Sequence, residues 1–163
     1  MQQLADDLAI RNLIARIAHL SDHSEDLDEY LTYFTEDAAW NFPIGARKGH
    51  ADILAGALER RASGTTGPGS NARHILSTMD VRVDGSDTAT SDAYFEFLVE
   101  TNVAPRIFNC GHYHDTWVRT PTGWRVKIRD IVLGLPKVQQ QMDGKTVRKF
   151  VYIQGKLANI VVG

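Results

Sequence analysis

The hydrophobic pattern of this 163-residue chain changes its period once, and that change limits the folds available to it. Up to about residue 61, apolar residues recur at intervals of three and four, as in amphipathic helices. From about residue 74 to 133 they alternate with polar residues, as in strands with one buried face. Helices followed by strands, without alternation, predict an α+β fold in which the helices pack on one face of a sheet.

The helical part contains three predicted helices and one short strand. In chain order they cover about 4–20, 27–34, 38–42 and 51–61, with the strand third. The polar run 21–24 is expected to end the first helix, and Asp26 with Glu29 resembles a capping box for the second. Pro43 stops the strand, and the Gly-rich run 63–70 is a predicted loop.

The second part contains four predicted strands joined by short turns. They lie near 74–83, 88–100, 107–119 and 124–133. The turn sequences D-G-S-D and T-P-T-G between them favour an antiparallel meander. Three helices on such a strongly curved, mainly antiparallel sheet would form a conical barrel with an internal pocket.

Two domain-level segments are predicted. Residues 1–134 form the conical α+β domain, and residues 135–163 form an apolar C-terminal extension, expected to act as a lid or a subunit interface.

Composition excludes several classes of partner. The net charge of -2 gives no basis for binding nucleic acid or an anionic membrane. No apolar run approaches a membrane span, and the start of the chain lacks the features of a signal peptide. The single cysteine, Cys110, fits a reducing compartment, so a cytoplasmic location is expected.

Several motifs resemble one protein family. They are I-R-N-L-I-A-R-I-A, F-T-E-D-A-A-W, K-G-H-A-D-I, N-A-R-H and G-H-Y-H-D-T-W-V-R-T-P-T-G-W-R-V. Together they resemble the SnoaL-like branch of the nuclear transport factor 2-like superfamily, and within it scytalone dehydratase and hexachlorocyclohexane dehydrochlorinase. Those enzymes remove a proton with an Asp–His pair.

The resemblance implies roles for three residues. Asp22 and His74 fall at the positions of the catalytic aspartate and histidine, and Arg129 matches an arginine of the dehydrochlorinase pocket. Two positions differ: Ile17 replaces a lysine of the dehydrochlorinase, and Ser21 replaces a tyrosine of scytalone dehydratase. These differences indicate a different substrate.

The residue types fit proton abstraction from carbon. A histidine ordinarily titrates near pH ~6.5, and a carboxylate bonded to one ring nitrogen orients the ring and stabilises its charged form. From spacing alone, however, an aspartate at this position is more often a cap or turn former than a catalyst, and a lone histidine at a strand start is usually a solvated or satisfied structural residue. The sequence leaves two alternatives for Arg129: it balances the charge of Asp22, or it forms an exposed ion pair with Asp130 or Glu96.

The substrate-binding residues depend on which strand face is concave. His112 and His114 share one face of their strand, while Asn109 and Tyr113 share the other, and the sequence does not choose between them. Further candidates form an apolar wall, or else plain core: Tyr30, Trp40, Phe42, Tyr94 and Phe108. No third ligand accompanies the two histidines with recognisable spacing, so no metal is expected.

The sequence therefore predicts a cofactor-independent lyase or isomerase acting on a small cyclic apolar molecule, with dehydration preferred. Two alternatives remain: a non-catalytic module like the small subunit of aromatic-ring dioxygenases, and a polyketide cyclase-like enzyme. The exposed face of the sheet predicts a homo-oligomer, with a trimer ahead of a dimer.

Overall fold

The structure, a computed structural model, describes residues 1–43 and 45–133 together with the backbone of 147–153 and 157–162. Its helices are α1 (Gln2–His23), α2 (Asp28–Thr32) and α3 (Gly49–Ala62). Its strands are β1 (Phe34–Phe42), β2 (Gly45–Lys48), β3 (Arg73–Asp84), β4 (Thr88–Val99), β5 (Arg106–Thr120), β6 (Gly123–Leu133), β7 (Val147–Ile153) and β8 (Leu157–Val162).

Six of these strands form one curved sheet in the order β2-β1-β6-β5-β4-β3. All neighbours are antiparallel except β1 and β6, which are parallel. The predicted α+β fold, with three helices on a mainly antiparallel sheet, is confirmed. Within the described part of the chain the sheet is open, since β2 and β3 are its two edges.

Strands β7 and β8 form a separate antiparallel hairpin. The predicted boundary at residue 134 and the first part of the extension lie outside the described residues. The role of 135–163 as a lid or an interface therefore stays a prediction.

The first helix is longer than predicted. It continues through Ser21 and Asp22 to His23, so the expected break at 21–24 is wrong. Aspartate disfavours helices when its side chain bonds to nearby backbone, but Asp22 bonds to His74 on β3 instead. A tertiary contact therefore keeps the last turn helical.

The elements around the second helix also differ from the prediction. The capping box is absent: α2 begins at Asp28, and Asp26 accepts a hydrogen bond from the Asp28 backbone N–H. Strand β1 begins four residues earlier than expected, because Phe34 already pairs with Val126 of β6. Strand β2 was not predicted; it pairs with β1 and forms an edge of the sheet.

The helices cover the concave face of the sheet. Helix α1 buries Ile10, Ile14, Ile17 and Leu20 in the main core, against Trp117 of β5 and Val126 of β6. Alternate side chains of β4 and β5 face this side, namely Ala89, Ser91, Ala93, Phe95, Phe97, Tyr113, Asp115 and Trp117. A second cluster around Phe95, Phe97 and Tyr113 continues the core toward the start of β3.

Gly111 occupies a position on β5 that no larger residue fits. A Cβ atom added there would lie 2.0 Å from the backbone oxygen of Val132 on β6 and 3.0 Å from the ring of Phe95. The missing side chain lets β5 and β6 approach closely, and it leaves room for the Phe95 ring to stack on Tyr113.

Candidate active site

Asp22 and His74 meet at the junction of α1 and β3. The Asp22 side chain is buried, and its Oδ1 lies 2.7 Å from Nδ1 of His74. Its Oδ2 accepts a hydrogen bond of 2.8 Å from the backbone N–H of the same histidine. An ionised carboxylate only accepts hydrogen bonds, so Nδ1 of His74 carries the proton in this contact. Both oxygens of Asp22 therefore bind the same residue, His74.

The second ring nitrogen of His74 is open to another molecule. Nε2 makes no hydrogen bond to any described residue, and 16% of the side chain is exposed. The ring lies against Phe97 of the neighbouring strand, with their centroids 4.6 Å apart. With its proton on Nδ1, the ring presents a lone pair at Nε2 beside an aromatic surface.

A recess of about 170 Å³ shares the Phe97 ring with the surroundings of this pair, although neither Asp22 nor His74 lines it. Its walls include Phe97, the same ring that contacts His74, together with Val99 and Phe108. Asn71 and Asn102 add polar groups to its lining. The lining also includes the ion pair of Glu100 and Arg106, so the recess combines apolar and charged surface, and Phe97 is its link to the dyad.

Arg129 and Asp115 form a buried ion pair on the concave face, two strands away from β3. The guanidinium donates two hydrogen bonds to the carboxylate, of 2.8 Å and 2.7 Å, and both residues are at most 5% exposed. Burial opposes the charge on Arg129, but the adjacent Asp115 carboxylate outweighs it and raises the pKa of the guanidinium. Arg129 thus pairs neither with Asp22 nor with the exposed carboxylates considered from the sequence.

Tyr113 connects this pair to the aromatic surface. Its ring lies 4.5 Å from the Arg129 guanidinium and stacks on Phe95 with a centroid distance of 4.6 Å. Burial raises the pKa of Tyr113, so its hydroxyl keeps its proton at neutral pH. The hydroxyl has no hydrogen bond to a described residue, which leaves it available as a donor.

The structure decides which face of β5 is concave. Tyr113 is buried between Phe95 and Arg129, whereas His112 and His114 point to the opposite face. His112 contacts Tyr94, and His114 bonds to the exposed carboxylate of Asp92 at 2.9 Å. The substrate contacts expected for His112, His114 and Tyr94 therefore do not agree with their placement.

Of the remaining predicted wall residues, Tyr30, Trp40 and Phe42 pack in the core, whereas Phe108 is 36% exposed. Tyr30 is buried against Phe34, and Trp40 stacks on Phe42. Phe108 lines the recess and contacts Phe97 edge to face.

Sequence reasoning missed two features of this region. Asp115 is not among the residues singled out from the sequence, although its position two residues after Tyr113 places it on the same face. Arg60 of α3 was not singled out at all. Its guanidinium lies over the ring of Trp40, a contact between distant segments that no local pattern encodes.

Two kinds of feature are absent from the described ranges. No group of three or more His, Cys, Asp and Glu side chains there is arranged to hold a metal ion. No helix there combines the length and the apolar character that a membrane span requires.

Residues 2–130 match the SnoaL-like domain family, which covers most of the chain. The chain belongs to the SnoaL-like family. This family, with its nuclear transport factor 2-like fold, includes dehydratases and isomerases. No curated protein has a significant match to the sequence.

Solved structures share the SnoaL-like fold. Rv3472 of Mycobacterium tuberculosis, a protein of unknown function, superposes with a TM-score of 0.73 at 23% identity, over 86% of this chain and 79% of its own. An NTF2-like protein with a cystatin-like fold from Novosphingobium aromaticivorans gives 0.71 at 27% identity, over 86% and 91%. A protein of the same organism, provisionally named scytalone dehydratase, gives 0.67 at 18% identity, over 81% and 86%.

Proposed function

We propose that this protein is a cofactor-independent lyase or isomerase of the dehydratase type, in which His74 abstracts a proton from carbon. One observation carries the proposal. The buried Asp22 carboxylate holds both the ring and the backbone of His74, while Nε2 of that ring makes no hydrogen bond to a described residue and the ring lies against Phe97.

The contacts support a specific division of roles. Asp22 fixes the tautomer in which Nε2 is the basic nitrogen, and it stabilises the imidazolium once the proton has been taken up. Its own burial strengthens that stabilisation, because the charges interact in a medium of low polarity.

In the proposed dehydration, Nε2 takes a proton from the carbon next to a carbonyl group. The electron pair of the broken C–H bond forms the new C=C bond as the C–O bond of the neighbouring hydroxyl breaks. The leaving hydroxide takes the proton back from the imidazolium and departs as water, which restores neutral His74. The Tyr113 hydroxyl, held beside Arg129, is our candidate donor to the carbonyl oxygen as charge develops there.

The proposed substrate is small, cyclic and largely apolar. The ring of Phe97 lies next to His74; it contacts Phe108 edge to face and belongs to the same cluster as Phe95. Such a surface suits a ring that must be held with one carbon against Nε2.

The test uses cyclic β-hydroxy ketones, whose dehydration is followed by the ultraviolet absorbance of the enone product. Once a substrate is identified, we expect His74→Gln and Asp22→Asn each to lower kcat by about 10²- to 10⁴-fold, the range for positioned acid–base groups.

The chain provides a matched control for this experiment. His114 and Asp92 make the same kind of Nδ1–carboxylate contact, at 2.9 Å, on the outer face of the sheet. His114→Gln and Asp92→Asn are expected to leave kcat unchanged. If the two inner variants retain full turnover while circular dichroism shows them folded, the mechanism is wrong and a non-catalytic binding role is favoured.

A further inference from the structure

Arg60 is a cation without a charged partner in a largely buried setting. It lies in the last turn of α3, and its guanidinium carbon is 4.3 Å from the centre of the Trp40 ring. Among the described residues no carboxylate or carbonyl accepts a hydrogen bond from its side chain. Burial accordingly lowers the pKa of Arg60, although an arginine stays protonated at neutral pH.

Neighbouring arginines are paired, which sets Arg60 apart. Arg47 bonds to Asp52 and Glu59. Arg61, the next residue along α3, donates to the backbone oxygens of Glu25 and Leu20. The Arg60 nitrogens are not among the fully buried polar atoms that lack a partner, so its N–H groups lie where a bound molecule can reach them.

The groups around Arg60 are other donors that lack acceptors. The indole N–H of Trp40 is buried and has no hydrogen-bond partner. The charge of Arg60 acts on the hydroxyls of Tyr30 and Tyr113, and neither hydroxyl donates to a described residue. The buried carboxylate of Asp115 is already held by two nitrogens of Arg129. Among the described residues, the one buried acceptor without a partner is Oδ1 of Asn109, which lies on β5 opposite Phe97 of β4.

The purely structural explanation for Arg60 accounts for only part of this arrangement. A cation over an aromatic face is favourable, and a basic residue at the C-terminal end of a helix interacts well with the helix dipole. The N–H groups of a guanidinium, however, lie in its plane and point away from the ring beneath it. Stacking on Trp40 leaves those N–H groups without acceptors.

We propose that Arg60 and the Trp40 indole N–H bind an anionic oxygen of the substrate, so that this protein acts on ring-containing organic anions. A carboxylate or a phenolate would supply the missing acceptors and neutralise the buried charge. The inference deepens the proposed function, since the dyad would act on a molecule whose charged end Arg60 holds. On the inner face of the sheet, Phe97 contacts His74, and Phe95 of the same cluster stacks on Tyr113.

The experiment compares two probes that differ in charge but hardly in shape, 2-naphthoate and 2-naphthamide. Binding is measured by isothermal titration calorimetry, and the indole N–H resonance of Trp40, assigned with Trp40→Phe, is followed by NMR. We expect naphthoate to bind at least about tenfold more tightly than naphthamide, as a charge-assisted hydrogen bond implies, and to shift the Trp40 resonance.

Variants of neighbouring arginines provide the controls. Arg60→Gln is expected to abolish the preference for naphthoate, Arg60→Lys to keep part of it, and Arg61→Gln to keep all of it. The inference is overturned if wild-type protein binds neither probe or both equally. It is equally overturned if folded Arg60→Gln retains the full preference.

The same measurement separates this inference from the proposed function. Asp22→Asn is expected to keep the naphthoate preference, because the anion site does not use the dyad. If wild-type protein prefers naphthoate but His74→Gln and Asp22→Asn keep full turnover, the proposed chemistry is rejected and the anion site stands. If wild-type protein shows no preference for naphthoate but the two dyad variants are inactive, the anion site is rejected and the proposed chemistry stands.

Discussion

Two histidines of this protein make the same contact in opposite environments. His74 and His114 each place Nδ1 within 3 Å of an aspartate oxygen, at 2.7 Å and 2.9 Å. The Asp22 side chain is 4% exposed, whereas that of Asp92 is 51% exposed. Water screens the outer pair, so the two partners of the inner pair interact more strongly. Burial, rather than residue type, therefore distinguishes the candidate base His74 from His114, which belongs to a surface pair.

The buried Arg129–Asp115 pair leads to a prediction about stability. Arg129→Met removes the guanidinium and leaves Asp115, which is 1% exposed, as an uncompensated buried charge. We expect the free energy of unfolding at pH 7 to fall by about 3–5 kcal/mol, as measured by urea denaturation.

The control for this prediction is an exposed pair. Arg82→Met breaks an ion pair with Asp80 on the surface and is expected to cost at most about 1 kcal/mol. Equal effects of the two substitutions would show that burial of the Arg129 pair is not what matters.

At the scale of elements, one carboxylate ties the first helix to the last two strands of the meander. Asp6 of α1 accepts a hydrogen bond of 3.1 Å from the indole N–H of Trp124 on β6. It also forms an ion pair of 2.6 Å with Arg119 on β5, whose guanidinium lies over the Trp124 ring. This junction holds α1 across the sheet at the end of β5, away from the dyad.

The junction predicts a dependence of stability on pH. The hydrogen bond from Arg119 lowers the pKa of Asp6 below its ordinary value of 3.8. A lowered folded-state pKa contributes stability above the unfolded value, and this contribution is lost as the pH falls through the folded value. We therefore expect Asp6→Asn to lower Tm at pH 7, and the difference from wild type to shrink below about pH 4.

Calorimetry across pH 2–7 would measure this difference, with Asp80→Asn as the exposed control. A Tm difference for Asp6→Asn that is the same at every pH would assign the effect to lost packing rather than to the Asp6 charge.

At the scale of the whole molecule, the convex face of the sheet carries apolar side chains that the helices do not cover. Ile75, Tyr94 and Ile107 are 44%, 57% and 58% exposed, respectively. Exposed apolar patches of this kind mark interaction surfaces, and a second copy of the chain is the occupant expected from the architecture. We propose that this face forms the interface of a homo-oligomer, with a trimer favoured.

Analytical ultracentrifugation tests that proposal. Wild-type protein is expected to sediment as an oligomer, and Tyr94→Glu to sediment as a monomer, because a charge would be buried at the interface. Leu8→Glu, at a helix position that is 58% exposed, should leave the oligomer intact. A monomeric wild-type protein, or a Tyr94→Glu oligomer of unchanged size, would contradict the assignment.

Local pattern alone was sufficient for the fold class and most of the element boundaries. Period and turn chemistry predicted α3 and the strands β3 to β6 to within about two residues, because side chains three or two apart share a face whatever the tertiary context. The same patterns failed at Ser21 to Ser24 and at β2. There, contacts with β3 and β1 decide the backbone conformation.

The candidate site depended on the resemblance and then on tertiary structure. Asp22 and His74 are 52 residues apart, and no periodicity brings them together. The alternation of side chains along β5 shows that Tyr113 and His112 lie on opposite faces of the strand. Which of them faces inward depends on which side of the sheet the helices cover. The contact between Arg60 and Trp40 could likewise not be predicted from local patterns, because the two residues lie on separate elements. Sequence determines which side chains share a face, while the packing of distant elements determines which of those faces becomes a low-polarity interior.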